Sequence, residues 1–525
     1  MLTNLSLFTA SAFGGASALI LALVIARRRA SYSGLLPYPP GPKPLPVIGN
    51  VTHISLTEPW LVYTAWKKIY GNLIRVRLMG QEMVVINSEK TARALLDQRS
   101  AVYSDRPSIL PARKFFGIEW LTALLPYGAE LRSHRKLFHH ALHAESSLRQ
   151  RENYLHRARF LLASLLHDPE GFKVHIQSFV AAIAMRITYG YVVQSENDPY
   201  VSAVSELNAL ANKLTPERTA VLLAFPFLVH VPAWFPGAKL QREALYSRQL
   251  AQKVLDAPFE FTKSQIAAGT ASQSLVFDCL MQIDEDNHEA QESAIKATAA
   301  TVFIGGYETT SSTLQAFILA MTLYPKVQAK AQAEIDTVVD STRLPGFEDR
   351  PSLPYVEAIL RETFRWMPAL PLGLPHATLS DDIFEGYLIP KGACVSLNIW
   401  YTMFFPSRKY PEPDEFRPER HFATDGSLLS DSISNNIVFG LGRRICPGRF
   451  VAESTVWAAI VSILATFRIE KAKGVDGRDV DVEKRFTTGL AMFVNDIGFS
   501  LLLIHITDTL SLSVVHLYVV LRKRR

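Results

Sequence analysis

The sequence predicts a mainly α-helical domain with small β-sheets, preceded by one membrane-crossing helix. Three observations carry this. Long stretches of helical period fill most of the chain, and only a few short alternating runs interrupt them. A charge-free apolar stretch at 5–26 is followed at once by Arg27, Arg28 and Arg29. Late in the chain, a glycine-rich loop around Cys446 leads into an apolar helical segment.

The bulk composition supports a folded chain. Hydrophobic residues make up 48% and charged residues 20% of 525 residues, which is a globular balance rather than a disordered one. A net charge of +6 is mild at this length, and nucleic-acid binding would need a concentrated basic face. The three cysteines, Cys279, Cys394 and Cys446, cannot build a disulfide framework, and a reducing, cytosol-facing compartment follows. Their wide spacing also argues against a structural zinc site.

The elements follow in order. At 1.5 Å per residue, the segment 5–26 can span a hydrocarbon core of about 30 Å. The arginines behind it place the N-terminus outside and the bulk in the cytoplasm, so residues 1–26 read as an anchor. Residues 27–50 read as a basic and proline-rich linker, with Pro37, Pro39, Pro40, Pro42, Pro44 and Pro46 favouring extended geometry. One domain then occupies residues 51–490. Strands are expected at 74–78 and 83–86 around Gly80-Gln81, and again at 384–389 and 395–398. Helices are expected at 129–143, 172–193, 293–323, 326–339 and 356–366. Residues 491–525 form an atypical hydrophobic tail that ends in Arg522-Lys523-Arg524-Arg525 and contains no proline.

The stretch Phe439-Gly440-Leu441-Gly442-Arg443-Arg444-Ile445-Cys446-Pro447-Gly448 has the parts of a cofactor loop. Its glycines let the backbone approach a flat ligand. Phe439 offers a ring to pack beneath that ligand, and Arg444 offers a charge for a carboxylate. A helix starts near Arg449, so its positive end favours a thiolate at Cys446, and backbone N–H groups tune the bound metal.

Gly305-Gly306-Tyr307-Glu308-Thr309-Thr310 lies inside a long helical stretch. Two mid-helix glycines cost roughly 1 kcal/mol each relative to alanine, so they need a reason. Gly305 and Thr309 share a face, and the Thr309 hydroxyl can bond the Gly305 carbonyl. That opens a groove where dioxygen can sit, with Glu308 and Thr309 placed to relay protons through water. The plainer reading is a pair of helix-packing glycines. Glu362 and Arg365 lie on one helix face, and Phe416-Arg417-Pro418-Glu419-Arg420 follows downstream. Arg132, Arg135, Lys136, His139 and His143 form a basic stripe at helical spacing.

These segments resemble the cytochrome P450 superfamily. The loop matches its heme signature FxxGxRxCxG at Phe439, Gly442, Arg444, Cys446 and Gly448, and residues 305–310 match [AG]Gx[DE]T[ST] in full. Glu362 to Arg365 resembles the family's ExxR helix, and the downstream segment its PERF stretch. The resemblance covers about residues 37–490 and implies the cytochrome P450 fold. It implies heme b with Cys446 as the axial thiolate and metal ligand. Glu308 and Thr309 would assist oxygen activation, and Glu362, Arg365 and Arg420 would form a buried charged triad supporting the cysteine loop. Arg135, Arg444 and His376 would meet the heme propionates. The rest of the basic stripe would attract an acidic partner, an NADPH-dependent flavoprotein reductase. The implied reaction inserts one atom of O2 into a lipophilic small molecule and releases the other as water. The overall pattern is most similar to microsomal fungal members, which suggests secondary metabolism or xenobiotic oxidation at the endoplasmic reticulum membrane. Two alternatives stand beside this: a heme-thiolate isomerase or dehydratase that does not use O2, and a non-catalytic heme-binding relic.

The chain departs from the family pattern at named places. Leu131 stands where the family usually has a tryptophan, which removes one propionate contact. His421 replaces an aromatic residue after Pro418-Glu419-Arg420, and Phe404-Phe405-Pro406 replaces a basic–Asp–Pro run. The expected pocket walls are residues 108–125, 207–214, 300–309, 369–373 and 489–490, most of them apolar.

Overall fold

The computed structural model describes residues 36–503, apart from 108–109, 195–197, 284–286, 341, 405–410, 431, 474–475, 483–486, 488–490 and 495–498. The expected anchor at 1–26, Phe405-Pro406, the pocket-wall pair Gly489-Leu490 and residues 504–525 lie outside the described residues.

The closely spaced prolines leave this segment too few amides for a helix, and two of its carbonyls accept from strand residues. The Pro37 carbonyl accepts from Leu388 N–H at 2.8 Å and the Pro40 carbonyl from Arg75 N–H at 2.9 Å. A Cβ on Gly41 would lie 2.0 Å from the Arg75 carbonyl oxygen, so only glycine allows this approach. From Pro37 onward, the segment expected to be a linker is therefore stapled to the domain.

It lies against β1 (Leu73–Leu78), which pairs antiparallel with β2 (Gln81–Ile86). Leu78 faces Gln81, so the turn is Met79-Gly80, with φ of 46° and 91°. This two-residue turn, with both central φ positive, sits one residue before the expected Gly80-Gln81. After β3 (His376–Ala377), the run expected as one strand at 384–389 is a hairpin instead, β4 (Asp382–Phe384) and β5 (Tyr387–Ile389). Glu385 and Gly386, with φ of 50° and 80°, make its turn. β6 (Cys394–Leu397) completes a four-stranded sheet in the order β1-β2-β6-β3, parallel to β2 and antiparallel to β3.

The helices that build the site are α1 (Ala129–Leu142), α2 (Arg151–His167), α3 (Phe172–Tyr189), α4 (Pro199–Ala211), α5 (His288–Leu323), α6 (Pro325–Val338), α7 (Pro354–Trp366) and α8 (Arg449–Thr466). α3 stops at Tyr189, short of the expected 193, because Gly190 takes the left-handed conformation and caps it. α5 is continuous through Gly305-Gly306. Its C-terminal half is buried on nearly every side, small polar residues such as Ser311 and Thr313 included, with Leu314, Phe317 and Leu319 packed in the main core beside α3 residues Phe179 and Ile183 and α8 residues Trp457 and Ile460.

Among the described residues, α8 alone is long and apolar enough to cross a membrane, yet Val456 to Leu464 are core residues. The domain also continues past residue 490. Ala491, Met492 and Val494 are buried, and β7 (Phe467–Lys471) pairs antiparallel with β8 (Phe499–Leu503). The first part of the expected tail is therefore a loop and a strand of the fold. The alternating run Phe499 to Leu503 finds a partner strand that is distant in sequence.

Candidate functional site

The cysteine loop is held by its own backbone. Asn436 accepts from Val438 N–H at 3.1 Å and starts a short turn at Ile437–Phe439. Gly440, at φ 76°, reverses the chain, and Cys446 N–H returns to the Phe439 carbonyl at 2.8 Å. The Phe439 ring packs on Phe364 of α7, with ring centroids 5.3 Å apart. Gly442 serves packing rather than approach to a flat ligand. Its φ is 58°, and a Cβ there would lie 2.1 Å from the Leu96 carbonyl oxygen.

Cys446 stands just before Gly448, the N-cap of α8. Burial raises its thiol pKa, opposed by a hydrogen bond from Gly448 N–H and by the charges of Arg449 and Arg135. Burial is the larger influence, while the helix end and the two arginines favour the thiolate, the direction that the sequence predicts. A cation bound to sulfur would complete the balance, since a coordinating thiol is deprotonated. Arg135 donates to the Ile445 carbonyl at 3.1 Å and Arg449 to the Cys446 carbonyl at 3.0 Å, so both arginines brace this loop.

A second cluster lies between the loop and the sheet. Arg444 is buried and donates to the carbonyls of Ser104 and Leu125, both at 2.7 Å. Arg106, not foreseen from the sequence, is buried beside it and donates to Ala123, Leu374 and Pro375 carbonyls at 2.7–2.9 Å. Burial lowers Arg106 to about 9, with Arg444 adding repulsion. His376 is a buried strand residue whose Nδ1–H donates to the Tyr103 carbonyl at 2.8 Å. Burial, then the charges of Arg106 and Arg444, push it down to about 3, so it is neutral. Neither Arg106 nor Arg444 has a carboxylate within ion-pair distance among the described residues. Asp105 is the acid whose charge acts on both. Leu131 is buried and offers no donor.

The expected triad gains a fourth member. Glu362 and Arg365 are fully buried and joined by two hydrogen bonds of 2.8 Å. Arg420 Nε donates to Glu362 at 3.0 Å, Arg417 N–H at 2.8 Å, and His421 Nε2 at 3.0 Å. Burial pushes Glu362 up, yet the bonds from His421 and Arg365 overcome it and hold the carboxyl at about 2. His421, seen in the sequence only as a departure, is a working ligand of this carboxylate.

On α5 neither glycine is forced by a steric clash. A Cβ on Gly306 would make only an ordinary contact with Ala184 Cβ of α3, at 3.9 Å. Gly305 is exposed directly after the buried Phe303 and Ile304, and a Cβ there would meet nothing within 4 Å. The Thr309 hydroxyl donates to the Gly305 carbonyl at 2.8 Å, as the spacing predicts. Glu308 accepts a hydrogen bond from Asn212, which lies in the expected pocket wall 207–214 but was not expected to hold Glu308. Burial raises Glu308 to about 7, only partly offset by that bond. Around this turn, Leu121, Leu124, Leu210 and Leu214 pack, partly buried, with Phe303 and Ile304, so the surroundings are apolar.

Arg132, Lys136 and His139 are exposed on α1, and Arg132 and Arg443 flank the Tyr127 ring at 5.9 and 5.4 Å. The basic stripe thus adjoins the cysteine loop on the outer surface.

Comparison with known proteins agrees with this geometry. The cytochrome P450 family model matches residues 39–492. The chain is 38% identical over 467 residues to cytochrome P450 monooxygenase COX1 of Coprinopsis cinerea, covering 87% of this chain and 89% of the relative. It is 37% identical over 479 residues to cytochrome P450 monooxygenase 208 of Postia placenta, covering 90% and 92%. Cytochrome P450 monooxygenase 226 of the same fungus is 36% identical over 485 residues. A match of this extent, over a fold and loop of this kind, shows that the chain belongs to the cytochrome P450 family and is a monooxygenase of the heme-thiolate class.

Proposed function

We propose that Cys446 is the axial thiolate of heme b, and that the enzyme inserts one oxygen atom into a lipophilic small molecule delivered from a membrane. The observation that carries the heme assignment is the buried pair Arg106 and Arg444 with neutral His376. Two cations held together, with Asp105 as the carboxylate that acts on both among the described residues, fit an anionic carboxylate group, which would satisfy both and relieve their mutual repulsion. The loop side fits as well, because Gly448 N–H, Arg135 and Arg449 all favour negative charge on Cys446. The donor set suits a porphyrin with propionates. Arg106 adds a donor where Leu131 offers none, and Arg135, which also braces the loop through the Ile445 carbonyl, stays a propionate candidate beside Arg444 and His376.

Bound heme supplies dioxygen activation with two electrons, and a thiolate ligand favours O–O cleavage. The chain supplies position and protons. Thr309 and Gly305 shape the groove, and Glu308, poised near neutrality, suits a proton donor at physiological pH. The balance is RH + O2 + NADPH + H⁺ giving ROH + H2O + NADP⁺. An apolar surround of leucines around Ile304 supports a lipophilic substrate, and the exposed arginines beside the cysteine loop support an acidic flavoprotein reductase. The sequence pattern favours a place in secondary metabolism or xenobiotic oxidation, and the relatives are fungal cytochrome P450 monooxygenases. Residues 1–26 would anchor the chain in the endoplasmic reticulum membrane, with the domain in the cytoplasm.

A carbon-monoxide difference spectrum of the reduced protein tests the ligand. A thiolate-type Soret band that Cys446→Ser abolishes is expected, and an unchanged band in that variant would overturn the assignment. Turnover with reductase should consume NADPH and O2 together. Turnover needing neither would favour an isomerase or dehydratase, and heme binding with no turnover would favour a relic.

A further inference from the structure

Two asparagines one turn apart on α4 grip one turn of α5. Asn208 Nδ2 donates to the Ile304 carbonyl at 3.3 Å, and Asn212 Nδ2 donates to the Glu308 carboxylate. Each pair is offset by the same 96 residues, so the two helices run in step over this turn. The clamped turn contains Gly305 and Gly306, where the helix has least side chain to hold it. Asn212 is the C-cap residue of α4, so it sits where that helix meets the following segment.

The Asn212 amide is used at both ends. Its Nδ2 faces Glu308, and its Oδ1 accepts the Ala491 N–H at 2.9 Å. A carboxylate needs the N–H donor and a backbone N–H needs the oxygen acceptor, so only one orientation of the amide satisfies both. The Ala491 segment is fixed in turn to α5, because the Ser312 hydroxyl donates to the Met492 carbonyl, and to the loop after α7, because Met492 N–H donates to the Ala369 carbonyl at 2.9 Å. One side chain therefore joins the end of α4, the acid of α5 and the C-terminal loop.

We infer that Asn212 is a positioning residue for proton delivery, which fixes the Glu308 carboxyl in one orientation and makes that orientation depend on where α4 and the Ala491 loop stand. Leu210 and Leu214 flank Asn212 and pack with the apolar cluster around Ile304, so a lipophilic molecule that displaces the end of α4 also moves the group that holds Glu308. Tyr307 is the titratable neighbour whose charge couples to Glu308 among the described residues, and it lies on the same helix. This inference rests on the proposed role of Glu308.

The test uses the heme-loaded enzyme at rest, with no substrate. The infrared carbonyl band of the protonated Glu308 carboxyl is assigned by its loss in Glu308→Gln, and its intensity is followed against pH. Asn212→Asp is nearly isosteric and keeps the oxygen that accepts from Ala491, but it replaces the donor to Glu308 with a second acid. Its midpoint should rise at least tenfold in proton affinity, and that of Asn212→Ala by a smaller factor. With reductase and NADPH, both variants should release more hydrogen peroxide per NADPH than the parent. Unchanged midpoints in both variants, with heme content and the carbon-monoxide spectrum intact, would overturn the inference for Asn212 alone. Normal peroxide yield in Glu308→Gln would instead remove the role of Glu308 on which it stands.

Discussion

The His421 imidazole reaches the buried Glu362 carboxylate at 3.0 Å, on the oxygen that also receives Arg365 Nε. With Arg365, Arg417 N–H, Arg420 and His421, Glu362 receives five hydrogen bonds, which saturates a carboxylate. The arrangement ties α7, whose Phe364 packs on Phe439 of the cysteine loop, to the segment that carries Pro418.

The five bonds are unequal. Replacing His421 by phenylalanine removes one donor and leaves Arg365 and Arg420 both paired with the carboxylate, so the cost is about 1–3 kcal/mol. Replacing Glu362 by glutamine strands Arg365 and Arg420 as buried cations, which costs roughly 3–5 kcal/mol. Urea unfolding of the heme-loaded protein should show both losses in that order. An unshifted midpoint for His421→Phe would mean the contact is idle.

The same carboxylate sets an acid limit. Glu362 is held at about 2, below its ordinary 4.5, so the folded state binds fewer protons there than the unfolded chain. Its stabilising contribution is full above about pH 4.5 and is lost as pH falls from there through 2. Stability measured across that window should fall more steeply in the parent than in His421→Phe, whose Glu362 is less strongly held. Parallel curves for the two proteins would contradict this.

Glycines give opposite predictions by position. Gly442→Ala must place a methyl group against the Leu96 carbonyl at a left-handed φ, so loop and heme retention should both suffer. Gly305→Ala meets nothing, and in a helix it should stabilise the fold by up to about 1 kcal/mol. The added methyl stands over the groove, so imidazole binding to the heme iron should weaken even as the melting temperature rises. A gain in stability with unchanged imidazole affinity would show that Gly305 does not face that groove.

What the sequence made legible is what lies within a few residues. The cysteine loop, the Gly305–Thr309 hydrogen bond and the Glu362–Arg365 pair are local patterns, and each is found as expected. The roles of Arg106, Asn212 and His421 were not legible, even though Asn212 lies in an expected pocket wall, because their partners are far away in sequence: Pro375, Glu308 and Glu362. Strand pairing shows the same limit. The β1–β2 hairpin is a local event, but β8 pairs with β7 only through tertiary contact, and a hydrophobic run looks the same with or without a partner. The Glu385-Gly386 turn was missed for another reason, since apolar residues on both sides gave one continuous strand-like run.

Arg106 provides the sharpest test of the heme seat. It spends three hydrogen bonds on the carbonyls of Ala123, Leu374 and Pro375, and it stands beside a second buried arginine at its own electrostatic cost. Such a residue is worth keeping only if an anion arrives. Arg106→Lys keeps the charge but cannot reach three carbonyls with a fixed fork, and Arg106→Met loses both. If a propionate docks there, removing the charge forfeits a charge-assisted bond of about 1.5–3 kcal/mol, or roughly ten- to a hundredfold in heme affinity. Heme transfer to apomyoglobin should therefore speed up most in Arg106→Met and less in Arg106→Lys. His376 gives an independent reading, because Arg106 is one of the two cations that keep it neutral. Its pKa should rise in Arg106→Met, detectable by proton resonance of the imidazole in heme-free protein. Heme loss at the parent rate in both variants would show that the two arginines serve the backbone alone, and that the propionates sit elsewhere.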